Sequence, residues 1–468
     1  MYSRKLSLLI VLVLLFSILV TACGPTATPE PTAAPTEAPT EKPTEEPTAA
    51  PTEEPTEAPT EEPPAPVTIQ IYYPVAVDAP IAEILNGYVA DFEAENPSIT
   101  VEPVFSGGYG DVKTAIQTTI DGGGEPPALA VMLATDLYDL VNAGYILSLD
   151  DYIAADADGQ AYLADFIPGF MENSYYDGKT WSVPFQRSNV LLYYNADLFA
   201  EAGLEPPNSW ESWGQAAQAL TVRDGDNVTR WGIEYPSGWP YWLFQPLAIG
   251  NGQNIIGDSD AEVYFDDPKV IEAVQFYIDL SHVYQAMPEG VQSIWGQAPT
   301  DLASGQTAMI VHSSGSLNGI LEQADFEVGV MALPGKEADT YATVPGGGNL
   351  YLLDNIPPEK QDAAWKFIRF LSEPERAADF SIHSGYFASR YDAYETAAMK
   401  AFLADHPQVA QASEALEYAR AEFSVQGLGE VRNIFHDYLQ KAYNGEMTPA
   451  DAMATAQAES DAALEPFK

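Results

Sequence analysis

The residues from Val67 to Lys468 predict an α/β fold in two lobes, and three observations carry that prediction. Apolar, β-prone runs alternate with stretches whose apolar residues recur at helical spacing, the pattern of a sheet covered by helices. This part of the chain is about 400 residues long, more than one hydrophobic core usually serves. The sole cysteine, Cys23, lies outside it, so the fold rests on packing without an intramolecular disulfide.

The first 66 residues are of another kind. Arg4 and Lys5 precede an apolar run from Leu6 to Val20, followed by Thr21-Ala22-Cys23. A basic start, a short apolar core and small residues at its end are the pattern of a secretory signal, and the run is shorter than the ~20 residues that span a bilayer. Val20 to Cys23 resembles a bacterial lipobox, which implies a signal peptide over residues 1–22 and a mature chain lipidated at Cys23. From Gly24 to Pro66 the chain repeats Pro-Thr-Glu-Glu and Pro-Thr-Ala-Ala with no aromatic residue. Such a segment has nothing with which to build a core; it reads as an extended stalk reaching on the order of 100 Å.

Elements then follow in order. Val67–Tyr73 reads as a strand; Ile81, Ile84, Leu85, Tyr88 and Phe92 mark a helix that stops near Asn96-Pro97. Ile99–Phe105 reads as a second strand, Val112–Ile120 as a helix and Leu129–Leu133 as a short buried strand. This alternation predicts a largely parallel sheet. Gly122-Gly123-Gly124, ahead of Glu125-Pro126-Pro127, ends a helix rather than opening one. Later helices are expected over Pro268–Tyr284, Gln361–Leu371, His406–Phe423 and Val431–Leu464, the last interrupted at Asn444-Gly445.

Composition removes several function classes. The formal charge is -48, from 68 acids against 20 bases, so nucleic acid and anionic lipid headgroups would be repelled. The five histidines, His282, His312, His383, His406 and His436, are scattered without zinc spacing, and no P-loop, GxSxG or dinucleotide fingerprint is present. No cofactor or metal is expected. Asp156-Ala157-Asp158-Gly159 with Asp165 partly fits a calcium loop, but Ala154 stands at the first-ligand position, and the segment reads as a solvated acidic loop.

What remains is aromatic. Tyr235-Pro236-Ser237-Gly238-Trp239-Pro240-Tyr241-Trp242 places four aromatics among proline and glycine. Aromatic planes in such a context either cover the apolar face of a sugar or polyol or plug an interlobe core. Val344-Pro345-Gly346-Gly347-Gly348-Asn349, ahead of a strand at Leu350–Leu353, either brings backbone N–H groups close to a ligand or forms a plain turn.

Certain runs recur in a fixed order: Phe92-Glu93-Ala94-Glu95-Asn96-Pro97, then Val183-Pro184-Phe185 leading to Leu192-Tyr193-Tyr194-Asn195, then Ser304-Gly305-Gln306-Thr307-Ala308-Met309. Gly346-Gly347-Gly348, Ala364-Trp365-Lys366-Phe367, Ser384-Gly385-Tyr386 and Gly445 to Ala452 complete the series. In these, the chain resembles the extracellular solute-binding proteins, family 1, of ABC importers, a group that includes maltose-binding protein. Its nearest likeness is to the glycerol-3-phosphate-binding members. The resemblance implies an α/β, two-lobed periplasmic-binding-protein-like fold of type II, with discontinuous lobes and a ligand cleft between them. It places lobe one at 67–184 plus 326–379 and lobe two at 185–325 plus 380–468.

The same resemblance implies ligand contacts from Tyr109, Ser188, Trp239, Trp242, Gly346, Gly347 and Tyr386, with Arg432 holding a phosphate. Arg187 stands where those binders have a serine and adds positive charge toward an anionic ligand. The binders' tyrosine–glutamate pair falls here on Leu133-Ala134, with Thr135 and Asp136 as possible substitutes, and Phe387-Ala388 replaces a leucine–proline pair. The implied function is capture of a carbohydrate or glycerol-phosphate solute by lobe closure and delivery to two permease subunits, by a monomer lipid-anchored on the outer face of the cytoplasmic membrane. A surface glycosidase or an adhesive surface lipoprotein are the alternatives.

Overall fold

A computed structural model describes residues 65–77, 79–290 and 292–468. The expected signal peptide, Cys23 and most of the stalk lie outside the described residues.

The chain opens as strand β1 (Val67–Tyr73), helix α1 (Ile81–Glu95), β2 (Ile99–Phe105), α2 (Tyr109–Asp121) and β3 (Leu129–Leu133). A long strand, β4 (Ser182–Asn195), is followed by helices α3 (Trp210–Leu220), α4 (Pro240–Gly250) and α5 (Pro268–His282). Then come β5 (Met309–Ser313), β6 (Val328–Met331), β7 (Pro345–Leu352), α6 (Pro358–Leu371), α7 (Pro374–Ser384), α8 (Leu428–Tyr443) and α9 (Pro449–Leu464). Short helices and hairpins fill the intervals. The apolar spacing of the opening elements therefore translates directly into structure. The segment expected as one helix over His406–Phe423 is shorter: Pro407–Glu414 runs into a 3-10 turn at Ala415–Tyr418, and the chain from there to Phe423 is not helical.

The main sheet has the order β6-β4-β7-β3-β1-β2, with β5 on the other edge of the upper half of β4. Only β1 with β2 and β1 with β3 are parallel; β4, β5, β6 and β7 pair antiparallel. The largely parallel sheet expected from the opening alternation is thus corrected to a mixed one. The cause is β4, which returns against β7 at Ser182–Asn189 and then takes β5 along Val190–Tyr194 and β6 along Leu192–Asn195.

Hydrophobic packing divides around this strand. One core gathers Ile71, Phe92, Leu129, Val131, Phe367 and Phe370 beneath β1 and β3. A second holds Trp213, Phe244, Phe265, Val274, Val311 and Phe435, and a third, smaller one holds Leu191, Tyr193, Ile310 and Val328. The chain passes between these bodies repeatedly. After β6, which packs in the third core, β7 returns to the first; Phe380 and Tyr386 pack in the first core, while Phe387 enters the third.

The glycine run read as preceding a strand lies inside β7, and each glycine has its own steric reason. A Cβ on Gly346 would overlap the Trp242 indole, one on Gly348 would come within 2.6 Å of the Tyr109 ring, and one on Gly347 would overlap the Gln186 carbonyl. Gly347 also has a φ of +98°, a conformation that side chains resist. Gly123 has a φ of +73° but open space where its Cβ would stand. Gly347→Ala is therefore expected to destabilise by at least ~2 kcal/mol more than Gly123→Ala, which carries only the left-handed penalty of about 1–2 kcal/mol. Urea unfolding of the two variants measures the difference.

Candidate functional site

Between the two larger cores lies a cleft of about 40 Å³, partly open to solvent and roomy enough for a few water molecules. Its floor is β4 and β7. Side chains on a strand alternate, so Gln186 and Ser188 share one face of β4 while Arg187 and Asn189 take the other. Ser188 and Gly347 line the cleft directly.

The first core supplies Tyr109 and Tyr386. Tyr109 opens α2, and its hydroxyl donates to Gln186 Oε1 at 2.9 Å and lies 3.4 Å from the Tyr386 hydroxyl. Tyr386 follows Gly385, whose φ of +76° ends α7 and turns the chain toward the cleft. Its ring lies parallel to Phe380 at 6.1 Å, and Phe380 stacks on Phe185 at 4.5 Å. Burial pushes the Tyr386 phenol up to about 12, so it stays protonated.

The facing wall comes from α4 and its approach. Pro240 at the start of α4 suits a first helical turn, where its missing N–H costs nothing. The segment from Tyr235 to Trp242, expected to be loop, thus enters a helix at Pro240. Trp242 Nε1 donates to the Pro345 carbonyl at 2.9 Å, which holds the indole flat over Gly346. Trp239 packs against both large cores, as the interlobe-plug alternative for these aromatics requires. Trp295, which the sequence did not single out, stands 6.2 Å from Trp242 with its ring inclined by 42°. It is backed at 3.8 Å by His312, whose Nε2 donates to the Trp295 carbonyl while Nδ1 accepts from Ser316. Burial lowers His312 to about 4, so this imidazole is neutral.

At the deep end, the Tyr241 hydroxyl donates to Glu422 Oε1 at 3.4 Å, and His436 stacks on the Tyr241 ring at 5.6 Å. Glu422 is 2% exposed, and its Oε2 has no hydrogen-bond partner among the described residues. Burial pushes its carboxyl up to about 8; Arg187, the Tyr241 bond and Arg432 oppose that shift, while Asp136 adds to it.

Of the residues singled out from sequence, Tyr109, Ser188, Trp239, Trp242, Gly347 and Tyr386 come together around one cleft. Gly346 lies beneath Trp242 rather than on the surface. Arg187 is fully buried off the cleft, its Nη1 donating to Gly347 O and Asn349 Oδ1 at 3.3 Å with Phe170 under the guanidinium. Arg432 is half-buried on α8, with its guanidinium 5.8 Å from the Tyr241 ring centre. Leu133 lines the cleft, whereas Asp136 is paired with Lys113 at 2.9 Å and the Thr135 carbonyl accepts from Ser424. Trp295, Ser313 and Glu422 are the polar or aromatic lining residues that sequence reasoning missed, while Tyr241 belongs to the aromatic run it pointed to.

The bodies also meet beyond the cleft, where Asn142 donates to Gln426 at 2.6 Å and Gln426 donates to Tyr176 at 3.1 Å. No group of three or more metal-ligating side chains is present among the described residues. In the segment compared with a calcium loop, Asp156 accepts from Trp365 at 3.0 Å and Asp158 pairs with Arg369 at 2.7 Å.

Residues 87–411 match the family described as bacterial extracellular solute-binding protein. The sn-glycerol-3-phosphate-binding periplasmic protein UgpB of Shigella flexneri is 24% identical over 411 residues, covering 84% of this chain and 92% of that one. UgpB of Mycobacterium tuberculosis, solved in complex with glycerophosphocholine, has a TM-score of 0.75 at 21% identity, over 86% of this chain and all 100% of that one. The acarbose-binding GacH receptor of Streptomyces glaucescens gives a TM-score of 0.74 at 22% identity over 86% and 100%. The architecture is accordingly that of the two-lobed periplasmic binding proteins.

Glu422 makes a pH prediction. Its carboxyl holds a proton in the folded state up to about 8, whereas the unfolded chain releases it near the ordinary carboxylate value. The associated stability is present at low pH and is lost as pH rises through about 8. The thermal midpoint of the native protein is therefore expected to fall more between pH 6 and 9 than that of Glu422→Gln, a comparison that scanning calorimetry reads directly.

Proposed function

We propose, because this chain belongs to the bacterial extracellular solute-binding proteins, that it captures a carbohydrate or glycerol-phosphate solute in the aromatic cleft and presents it to the permease of an ABC importer. The observation that carries this reading is the convergence of Trp239, Trp242, Trp295, Tyr109 and Tyr386 from two separate cores onto one cleft. A ligand there touches both bodies only when they are closed, so its binding favours closure. The UgpB relatives and the glycerophosphocholine complex support a glycerol-phosphate solute, and the GacH likeness a carbohydrate. Lobe one, in this reading, takes β1 to β3, β7 and α6, and lobe two takes α3 to α5 with α8 and α9; β4 is common to both. Lipidation at Cys23 would keep the domain outside the membrane at the end of its stalk.

Catalysis of glycoside hydrolysis needs two carboxyl groups across the scissile bond. Among the described residues, Glu422 is the sole carboxylate lining this cleft, which favours binding over that alternative.

The test is calorimetric titration of the protein with glycerol-3-phosphate, glycerophosphocholine, maltose, longer glucans, trehalose and xylo-oligosaccharides. One of these is expected to bind, and Trp239→Ala or Trp242→Ala is expected to weaken it at least tenfold while the circular dichroism stays native. Arg432→Ala is expected to weaken phosphate-bearing solutes alone. Normal binding by either tryptophan variant would place the site elsewhere.

A further inference from the structure

A separate cavity of about 90 Å³ lies beside the tryptophan wall of the cleft, and none of its lining residues lines the cleft itself. Leu243 and Phe244, the two residues after Trp242 on α4, form one wall. Tyr277 of α5 forms another; its ring is 5.2 Å from Tyr235, inclined by 77°, and 5.2 Å from Tyr443 of α8. These residues belong to the second core or pack against it. The shape of the cavity therefore does not depend on closure of the two bodies.

Two polar groups on its lining are unspent. Tyr235 is 3% exposed, and its hydroxyl has no hydrogen-bond partner among the described residues. Gln292 Nε2 donates to the Tyr443 hydroxyl at 2.7 Å and to the Pro288 carbonyl at 2.8 Å, which fixes the amide. Its buried Oε1 is left without a partner among the described residues. A buried donor or acceptor left unpaired is costly, and a guest that pairs with both recovers that cost. Charge is absent: no Asp, Glu, Lys or Arg lines the cavity, and burial, with Arg432 adding to it, lowers His436 to about 4, so that ring is neutral. A charged guest would lose its hydration here without meeting a counter-charge. Since a cavity of about 150 Å³ takes benzene, one of about 90 Å³ suits a body of roughly four heavy atoms.

We infer that this cavity is a second binding site, which takes a small uncharged alcohol or diol. The carbon chain packs against Leu243, Phe244 and Tyr277, and the hydroxyl donates to Gln292 Oε1 and accepts from the Tyr235 hydroxyl. Water could pair with the same two atoms but gains nothing from the apolar walls, whereas a short carbon chain is driven onto them by leaving water. The site is distinct from the cleft, and solute capture stands or falls without it. His436, on the cavity lining, and His312, stacked on Trp295 of the cleft, report the two places separately.

The test titrates the full protein, labelled with carbon-13 in its histidine rings, with propan-2-ol and propane-1,2-diol and follows the ring signals by NMR. Lactate and 1-aminopropan-2-ol serve as charged counterparts, and 2-chloropropane as the counterpart without a hydroxyl. Substituting His436 and His312 in turn assigns their signals. At least one alcohol is expected to shift the His436 signal saturably while the His312 signal stays, with an affinity at least tenfold above that of every counterpart. Tyr235→Phe removes a hydroxyl that no described residue uses, so its thermal midpoint is expected to be unchanged or higher while the alcohol binds at least threefold more weakly. No saturable shift with either alcohol would overturn the inference and leave the cavity to water. Equal binding of a charged counterpart or of 2-chloropropane would overturn the chemistry assigned to the guest. Full affinity in folded Tyr235→Phe would overturn the pairing on which the site is built. A shift at His312 in place of His436 would put the alcohol in the cleft and end the case for a second site.

Discussion

The arrangement depends on one strand having to serve two packing environments. β4 runs for 14 residues, all buried except the half-buried Tyr194. Its first half is hydrogen-bonded to β7 and its second half to β5 and β6. Because the strand is continuous, the alternation of its side chains cannot slip between the halves without turning every residue to the wrong face. That register sets Ser188 on the cleft floor and Arg187 behind it. It also forces β7 to lie close enough to β4 that Gly347, pressed against the Gln186 carbonyl, has no room for a side chain.

From that floor the rest of the cleft follows by contact. Removing side chains from three consecutive positions of β7 leaves flat backbone, onto which Trp242 settles from one body and Tyr109 from the other. Hydrogen bonds to the Pro345 carbonyl and to Gln186 orient these rings. Burying Glu422 at the end of the same space is unfavourable for a lone charge, and the protein answers by keeping the proton on. Aromatic walls with one protonatable acid are thus a consequence of how the two cores meet.

Much of the fold was legible because its signals are local. The strands Val67–Tyr73, Ile99–Phe105 and Leu129–Leu133 begin and end where their apolar runs do. Helix α1 ends at Glu95, ahead of Pro97. The antiparallel return of β4 and β7 left no such mark, because pairing across more than 150 residues is a property of topology. The same holds for the site. Trp239 and Trp242 drew attention through the proline and glycine around them, while Trp295 sits in an unremarkable stretch and reaches the cleft through the Ser237–Ile294 bridge. Glu422 was hidden among 68 acids until burial distinguished it. The side of β4 on which Arg187 falls required knowing the register, which composition does not carry.

Closure of two bodies over a solute is the central claim, and a distance between them tests it most directly. Spin labels at Thr114 on α2 and Asn433 on α8, both exposed, would report the separation by pulsed electron resonance, with Cys23 replaced by serine. Without solute the distance distribution is expected to be longer and broader, shortening and sharpening when glycerophosphocholine, glycerol-3-phosphate or maltose is the compound bound. A distribution unchanged by all three would rule closure out.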